Sequence, residues 1–537
     1  MKERQKILVV GWDGATFDMI EPLVAAGRLP NVARLMQSGA WGRMESTIPA
    51  LTPTAWTSLS TGVNPGKHAI FDAMLFSSEK RKISFVNASM RKVKPVWSLL
   101  SAAGKRVGVM NVPVTYPPDE VDGFVIPGLF TPEGAPNFMY PQELENELAE
   151  RFGPYAMECR SSGSPAVHLK SILSVEVSFR EKIASYLMDK YEWDFFFCAF
   201  MSSDRVQHFF WKYLDPAHPD HKKYGDAIAT VYEKMDEALG RLLEKAGENA
   251  TVIMVSDHGS GPLKTAFFLN YWLQQNGYLF LNREFSQILK GRPVLGERLA
   301  SVLKKLFSAR TAKTGVTDAH RDDVNRFPSM IDWERTVAFS EGVGGGLFIN
   351  AQVVGQDRYE STIEAIREGL LEVRDDHGSK VVKAVYRRDE VYHGEYTRLA
   401  PDLIVICEGK FQIIAPNEFL FYNKGFDNKL FLSHRWSGRH EQHGICIIKG
   451  PATAMNTEMK KCRIIDIAPT ILYLMDQAVP GYMDGTVLNE AIDPAYLEKH
   501  PVRYTADMHT QESQVASLSE DEDRKISEKL RDLGYIE

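Results

Sequence analysis

Four short apolar runs, separated by helical patterns, constrain this chain more than any other feature. They are Ile7–Val10, Val107–Val112, Trp193–Met201 and Ala250–Val255. A continuous apolar run of this length is how a strand reads when both faces of its sheet are covered. The patterns near Phe17–Ala26, Asn31–Gln37, Pro95–Ala103 and Asp226–Ala246 have helical spacing. Strands alternating with helices predict an α/β fold, a mostly parallel central sheet with helices on both faces. Three of the four runs lead into an acid: Asp13, Asp204 and Asp257. In open α/β sheets ligands bind beyond the carboxyl ends of the strands, so these acids stand where a site is expected.

Composition narrows the class. The chain has 537 residues, 44% hydrophobic and 25% charged, which is ordinary globular usage. Its 63 basic and 70 acidic residues give a formal charge of −7, against the basic excess of a dedicated nucleic-acid binder, and no duplex binding is expected. Five cysteines (Cys159, Cys198, Cys407, Cys446 and Cys462) form no C-x-x-C pair, so reduced buried thiols are expected rather than a disulfide scaffold or a cysteine zinc site. The N-terminal apolar run is too short for a secretory segment. The later run at Phe195–Met201 falls far below the ~20 residues that span a bilayer. A cytoplasmic protein with no transmembrane segment is the expectation.

The stretch Ser286–Gly315 breaks the rhythm. It carries seven basic residues against one acid, with Leu299, Val302, Leu303 and Leu306 at helical spacing. It reads as an inserted helical cap, either a solvated basic face or a surface for an anionic substrate or lipid. The core pattern resumes near Thr336, with a glycine-rich turn at Gly342–Gly346, strand Leu347–Asn350, helix Glu360–Val373, and strands Leu403–Cys407 and Ile445–Ile448. The predicted organisation is a catalytic core over 1–280 and 330–490, a basic helical insert over 281–329, and a C-terminal surface helix or tail over 491–537. Ser519 and Glu522 have the spacing of a capping box, and Ile526, Leu530 and Leu533 form a narrow stripe behind it.

Three familiar motifs fail. Gly62–His68 is one residue short of a phosphate loop and lacks the hydroxyl after its lysine. Gly342–Leu347 lacks the last glycine of a dinucleotide fingerprint and precedes a strand. No G-x-S-x-G elbow is present. What remains is a dispersed polar set. Asp204 and His208 are one helical turn apart and share a face. Asp257 and His258 stand together at a strand end. His440 and His443 precede the last strand, and spacing alone does not choose between them. Thr52 precedes Pro53, so it reads as the N-cap of a helix running to Thr61, placing a hydroxyl at the positive end of a helix. Asp13, Asp204, Asp257, His208, His258 and His440 would give two sites of mixed carboxylate and imidazole, ligands that suit zinc or manganese better than magnesium. Two divalent ions about 4 Å apart clamp the attacking and leaving oxygens of an in-line phosphoryl displacement.

The order Asp, Thr, Asp-x-x-x-His, Asp-His, His resembles the alkaline phosphatase superfamily, in its type I phosphodiesterase/nucleotide pyrophosphatase branch. The residues carrying the resemblance are Gly11-Trp12-Asp13-Gly14, Leu51-Thr52-Pro53, Thr61-Gly62 with Pro65 and His68, Asp204 with His208, Ser256-Asp257-His258-Gly259, Ser437-Gly438-Arg439-His440, and Asp466-Ile467-Ala468-Pro469-Thr470 with Met483-Asp484-Gly485. The resemblance implies an alkaline-phosphatase-like core and two divalent metals, zinc first and manganese as the alternative. Asp13, Thr52, Asp257 and His258 would hold one metal, and Asp204, His208 and His440 the other. Thr52 would attack phosphorus and form a covalent phosphothreonine, and the implied substrate is a small phosphodiester or pyrophosphate. It also marks His68 and Asp72 as candidate substrate-binding residues, Asp72 standing in the region where the branch carries a phosphoryl-binding asparagine. Two alternatives stay open: a phosphomonoesterase or phosphomutase of the same superfamily, and an inactive metal-containing protein that holds an anion. A homo-oligomer is compatible with all three.

Overall fold

The structure is a computed structural model that describes residues 5–77, 81–159, 163–282, 326–413, 430–432, 436–506 and 518–533. The predicted basic insert falls almost wholly outside the described residues. The central sheet has eight strands in the order Thr457–Glu458, Ala40–Glu45, His443–Lys449, Thr251–Val255, Ile7–Trp12, Phe195–Phe200, Val107–Met110 and Gly123–Ile126. The last five are mutually parallel, and only His443–Lys449 runs against its neighbours. All four apolar runs of the sequence are therefore strands of this sheet.

Alternation along these strands divides the core between two faces. Leu8, Val10, Phe196, Cys198, Val252 and Met254 face one hydrophobic cluster, which the helix Ala227–Ala246 covers. Ile7, Val9, Phe195, Phe197, Ile253 and Val255 face the other, covered by Thr52–Thr61 and Ile467–Leu474. The helices lie within a few residues of expectation: Phe17–Ala25, Pro30–Ser38, Val96–Ala102 and Gln356–Leu371. All five cysteines are buried and free. No helix among the described residues is long and apolar enough to cross a membrane.

Of the later strands, those before His443 do not extend the central sheet. Ala338–Ser340, Gly346–Ile349, Leu403–Cys407 and Val382–Arg387 form a separate antiparallel sheet with its own core. That core also takes in the hairpin Met74–Ser77/Lys82–Phe85 and the C-terminal helix Glu520–Leu533. The C-terminal helix begins with the expected capping box, Ser519 Oγ accepting from the Glu522 amide at 3.3 Å while Glu522 Oε2 accepts from the Ser519 amide at 2.9 Å. Its stripe is deeply seated, with Ile526 and Leu530 at 0% and 1% exposure.

Candidate active site

Register brings the acids together. Gly11 pairs with Ala199 on one side and with Val255 on the other, so the three strands end side by side. Asp13, Ser202–Phe210 and Ser256–His258 then emerge from one edge. Serines stitch these turns: Ser203 Oγ donates to the Asp13 carbonyl at 2.6 Å, and Ser256 Oγ to that of Ala15 at 2.9 Å. Gly14 adopts φ of 65°, a left-handed conformation that turns its N–H onto Asp257 Oδ1 at 3.1 Å. Asp204 and His208 meet on their helix, with His208 Nε2 3.0 Å from Asp204 Oδ1. His440 arrives on the short strand Gly438–Glu441, which pairs with Gly259–Pro262 and sets His440 opposite Ser260.

The three histidines share one arrangement. His208 Nδ1 lies 2.8 Å from the Gly438 carbonyl, His258 Nδ1 2.9 Å from that of Gly259, and His440 Nδ1 3.1 Å from that of Ala50. A carbonyl only accepts, so each Nδ1 carries a proton, and in the neutral ring Nε2 is then the atom that presents a lone pair. Those lone pairs converge. His208 and His440 bring their Nε2 atoms to 3.1 Å, and His440 Nε2 is 3.5 Å from Asp204 Oδ1. His258 Nε2 is 3.3 Å from Asp257 Oδ2 and 3.7 Å from Asp13 Oδ1. Asp13 Oδ1 and Asp257 Oδ2 are buried and receive no hydrogen bond, although Trp56 Nε1 donates to Asp13 Oδ2 at 2.7 Å. Acceptors facing acceptors in a buried space require cations, and imidazoles fixed through Nδ1 to carbonyls are the usual support of metal-binding histidines. The donor set thus fits divalent metal. Asp13, Asp257 and His258 form one group with ligand atoms within 4.8 Å of one another, and Asp204, His258 and His440 another. His258 therefore reaches both sets.

The electrostatics match. Burial, and after it the neighbouring carboxylates, hold Asp13 and Asp257 well above the usual carboxylate range. Burial also works to raise Asp204, but the cationic form of the neighbouring His208 and His440 imidazoles, a positive charge such as a metal ion would also bring, outweighs it and holds Asp204 well below that range. Burial pushes His258 and His440 down, keeping their Nε2 lone pairs available.

Thr52 sits beside this cluster, its hydroxyl 3.2 Å from His258 Nε2. The cap differs from expectation by one residue. Leu51 holds the N-cap position, and Thr52 is the first residue of Thr52–Thr61, with Pro53 second. The Thr52 hydroxyl is thereby released from capping and turned toward the imidazole. All ten residues of that helix are buried. Its polar side chains bond back onto the chain, as Thr57 and Thr61 do to the carbonyls of Pro53 and Thr57.

The two expected substrate contacts, His68 and Asp72, bond to neighbouring protein groups. His68 is fully buried, Nδ1 accepting from the Ile70 amide at 3.1 Å and Nε2 facing Ser58 Oγ at 2.8 Å. Burial, with Arg91 adding to it, lowers its pKa to about 3. Protonation would set two donors against each other at Ile70. The unfolded chain takes up that proton near pH 6.5, so stability falls as pH drops from there toward 3. Between pH 7 and 5 this group alone withdraws about 2 kcal/mol. Urea titrations at the two pH values should show a smaller loss for His68→Gln than for the parent; an equal loss would refute this account of the residue. Asp72 is 6% exposed, with Oδ1 on the Ala73 amide at 2.6 Å and Oδ2 on the Gly344 amide at 2.9 Å. Burial raises it to about 6 against those bonds, which join it to the glycine-rich turn. His443 is exposed on the neighbouring strand, opposite Glu45, which leaves His440 as the inward histidine.

Other contributors carried weak sequence signals. Trp436 stacks on His208 with ring centroids 3.8 Å apart, and Gln207 Nε2 donates to the Gly14 carbonyl at 2.9 Å. Both adjoin motif residues, but neither side chain is a metal ligand.

Residues 7–420 match the family model for type I phosphodiesterase/nucleotide pyrophosphatase. The chain belongs to that family. It is therefore a hydrolase of the phosphodiesterase/pyrophosphatase type, in a family that depends on metal. No curated protein sequence matches it significantly. Among solved structures, this family member is similar to human ectonucleotide pyrophosphatase/phosphodiesterase 5 (TM-score 0.51, 14% identity, 92% of this chain and 99% of that one covered). It is also similar to Sinorhizobium meliloti 1021 phosphonoacetate hydrolase in complex with phosphonoformate (TM-score 0.54, 14% identity, 88% and 95% covered). An inactive threonine-to-alanine form of the murine phosphodiesterase 5 with AMP gives TM-score 0.50, 14% identity, and 88% and 96% covered. At these identities the likeness establishes the alkaline-phosphatase-like fold.

Proposed function

We propose that this chain hydrolyses phosphodiester or pyrophosphate bonds through a phosphothreonine on Thr52. The observation that carries the reading is the Thr52 hydroxyl, 3.2 Å from His258 Nε2, at the first turn of a buried helix beside the converging lone pairs. Asp13, Thr52, Asp257 and His258 would hold one divalent ion, and Asp204, His208 and His440 a second, zinc or manganese by ligand type. Bound there, the ions supply Lewis acidity toward the phosphoryl oxygens and a lowered pKa for the attacking oxygen. Thr52 Oγ1 bonds to phosphorus as the bond to the leaving oxygen breaks, and that oxygen departs carrying a proton. Water then adds to phosphorus, the Thr52 bond breaks, and the hydroxyl is regenerated. Two in-line displacements give net retention. The murine neighbour, inactive as its threonine-to-alanine form and bound to AMP, is consistent with this role.

A diester is favoured over a monoester by the walls. Thr52 and His440 share a narrow pocket whose described lining is mostly apolar and includes no lysine or arginine. A monoester dianion would want such a cation more than a diester monoanion does. Paired assays with an aryl phosphodiester and the matching aryl monoester, on zinc- or manganese-loaded protein, test the reading. Faster diester hydrolysis and a threonine adduct trapped by acid quench are expected. Monoester preference would give the site to a phosphomonoesterase, and absence of turnover on both would reject a phosphoryl hydrolase.

A further inference from the structure

The pocket over Thr52 is closed by a part of the chain that lies beyond the family match. Leu530 of the helix Glu520–Leu533 lines the same pocket as Thr52 and His440, about 110 residues past residue 420. The helix is seated there by more than its apolar stripe. Lys529, 8% exposed, places Nζ 3.6 Å from Glu158 Oε1 and 3.4 Å from the Thr131 carbonyl. Glu158 Oε2 in turn lies 3.3 Å from Arg205, the residue after Asp204. At the opposite end, Glu522 accepts from the Tyr116 hydroxyl at 3.1 Å and Asp523 from the Phe85 amide at 3.2 Å. A buried ion pair breaks at high cost, so this wall is fixed rather than draped.

The space it encloses is small and greasy. Among the described residues, Pro53, Phe130, Val343, Trp436 and Leu530 form the sides and Gln412 is the one amide, with a cavity of about 30 Å³. That holds one or two waters and excludes an aromatic ring. We propose that the C-terminal helix is a wall of the substrate site and that Leu530 sets its specificity, sizing an apolar subsite for the small alkyl group of a phosphodiester's non-leaving arm, which an alkylphosphonate mimics. This rests on the phosphoryl-hydrolase reading and names the substrate class within it.

The test uses ligands with no ester bond to cleave. Methylphosphonate and phenylphosphonate are titrated calorimetrically into the metal-loaded full-length protein. The parent should bind methylphosphonate more tightly. Leu530→Ala should shift the methyl-to-phenyl affinity ratio toward phenyl by roughly tenfold, the usual effect of adding room for a few carbons in an apolar pocket. Leu530→Met, close in volume, should leave it within about twofold. If the alanine variant fails to fold, Leu530→Val should move the ratio in the same direction by a smaller factor. A ratio indifferent to residue 530, or no binding of either phosphonate by the parent, overturns the proposal. Aryl diester turnover alongside an indifferent ratio overturns this inference alone. A ratio that follows residue 530 in a protein without turnover supports the inference and overturns only the hydrolase reading.

Discussion

Thr52→Ala should lower kcat for an aryl phosphodiester by about four orders of magnitude or more, the scale on which removal of a nucleophile is felt. Among the described residues lining the pocket, Thr52 carries the one hydroxyl, so no neighbour inherits its role. The substitution is otherwise mild. Leu51 holds the cap position and Pro53 occupies the second, so the helix does not depend on the Thr52 oxygen to start. Burial of the helix by Trp56 and Leu59 is untouched. Metal content should therefore stay close to the parent value, since His258, Asp257 and Asp13 keep their places. Thr52→Ser, which retains the oxygen, should recover a substantial part of the rate. Hydrolysis within tenfold of the parent in a metal-loaded alanine variant would show that attack comes from water directly and that no phosphothreonine forms.

The strand ends were readable because burial on both faces erases alternation and leaves a plain apolar run, and a run that stops at an acid marks the sheet edge. What such a run cannot tell is which sheet it joins. Leu403–Cys407 is as apolar as Thr251–Val255, yet it pairs with Gly346–Ile349 and Val382–Arg387 in the second sheet, a choice made by partners distant in sequence. His440 and His443 posed the same difficulty. They lie on consecutive strands that pair with different partners, Gly259–Pro262 and Ala40–Glu45, so counting residues between them does not give their facing. His68 and Asp72 show another difficulty. Both stand near Thr52 in sequence, and polarity near a nucleophile looks functional until its bonds are traced to Ser58, Ile70, Ala73 and Gly344. Gly438 was legible both as a motif member and as a point of close backbone approach, but not for what approaches it. A Cβ there would lie 2.4 Å from the Gln207 carbonyl oxygen, and that close approach is what lets the His440 strand lie against the Asp204–His208 helix.

Removing metal should have the second large effect, with a readout that does not require turnover. Three Nε2 atoms and the carboxylates of Asp13, Asp204 and Asp257 crowd a space that is buried except at the partly exposed His440. Without cations these groups repel one another, and the cost is met by raised carboxyl pKa values at Asp13 and Asp257. With cations the same groups become ligands, and binding to the folded state alone adds stability by mass action, about 3 kcal/mol for one site at a free metal concentration a hundredfold above its dissociation constant. Chelation should thus abolish diester hydrolysis and lower the unfolding temperature by several degrees, and zinc or manganese should restore both. Thr52→Ala protein, silent in the assay, should show nearly the same metal-dependent rise in unfolding temperature, because it keeps every imidazole and carboxylate. Asp257→Asn should lose most of that rise, since its Oδ2 is a buried oxygen of the cluster that receives no hydrogen bond from the described residues. An unfolding temperature indifferent to chelator and to added metal would mean that the cluster is satisfied by protons alone, and the phosphoryl chemistry assigned to it would have no electrophile.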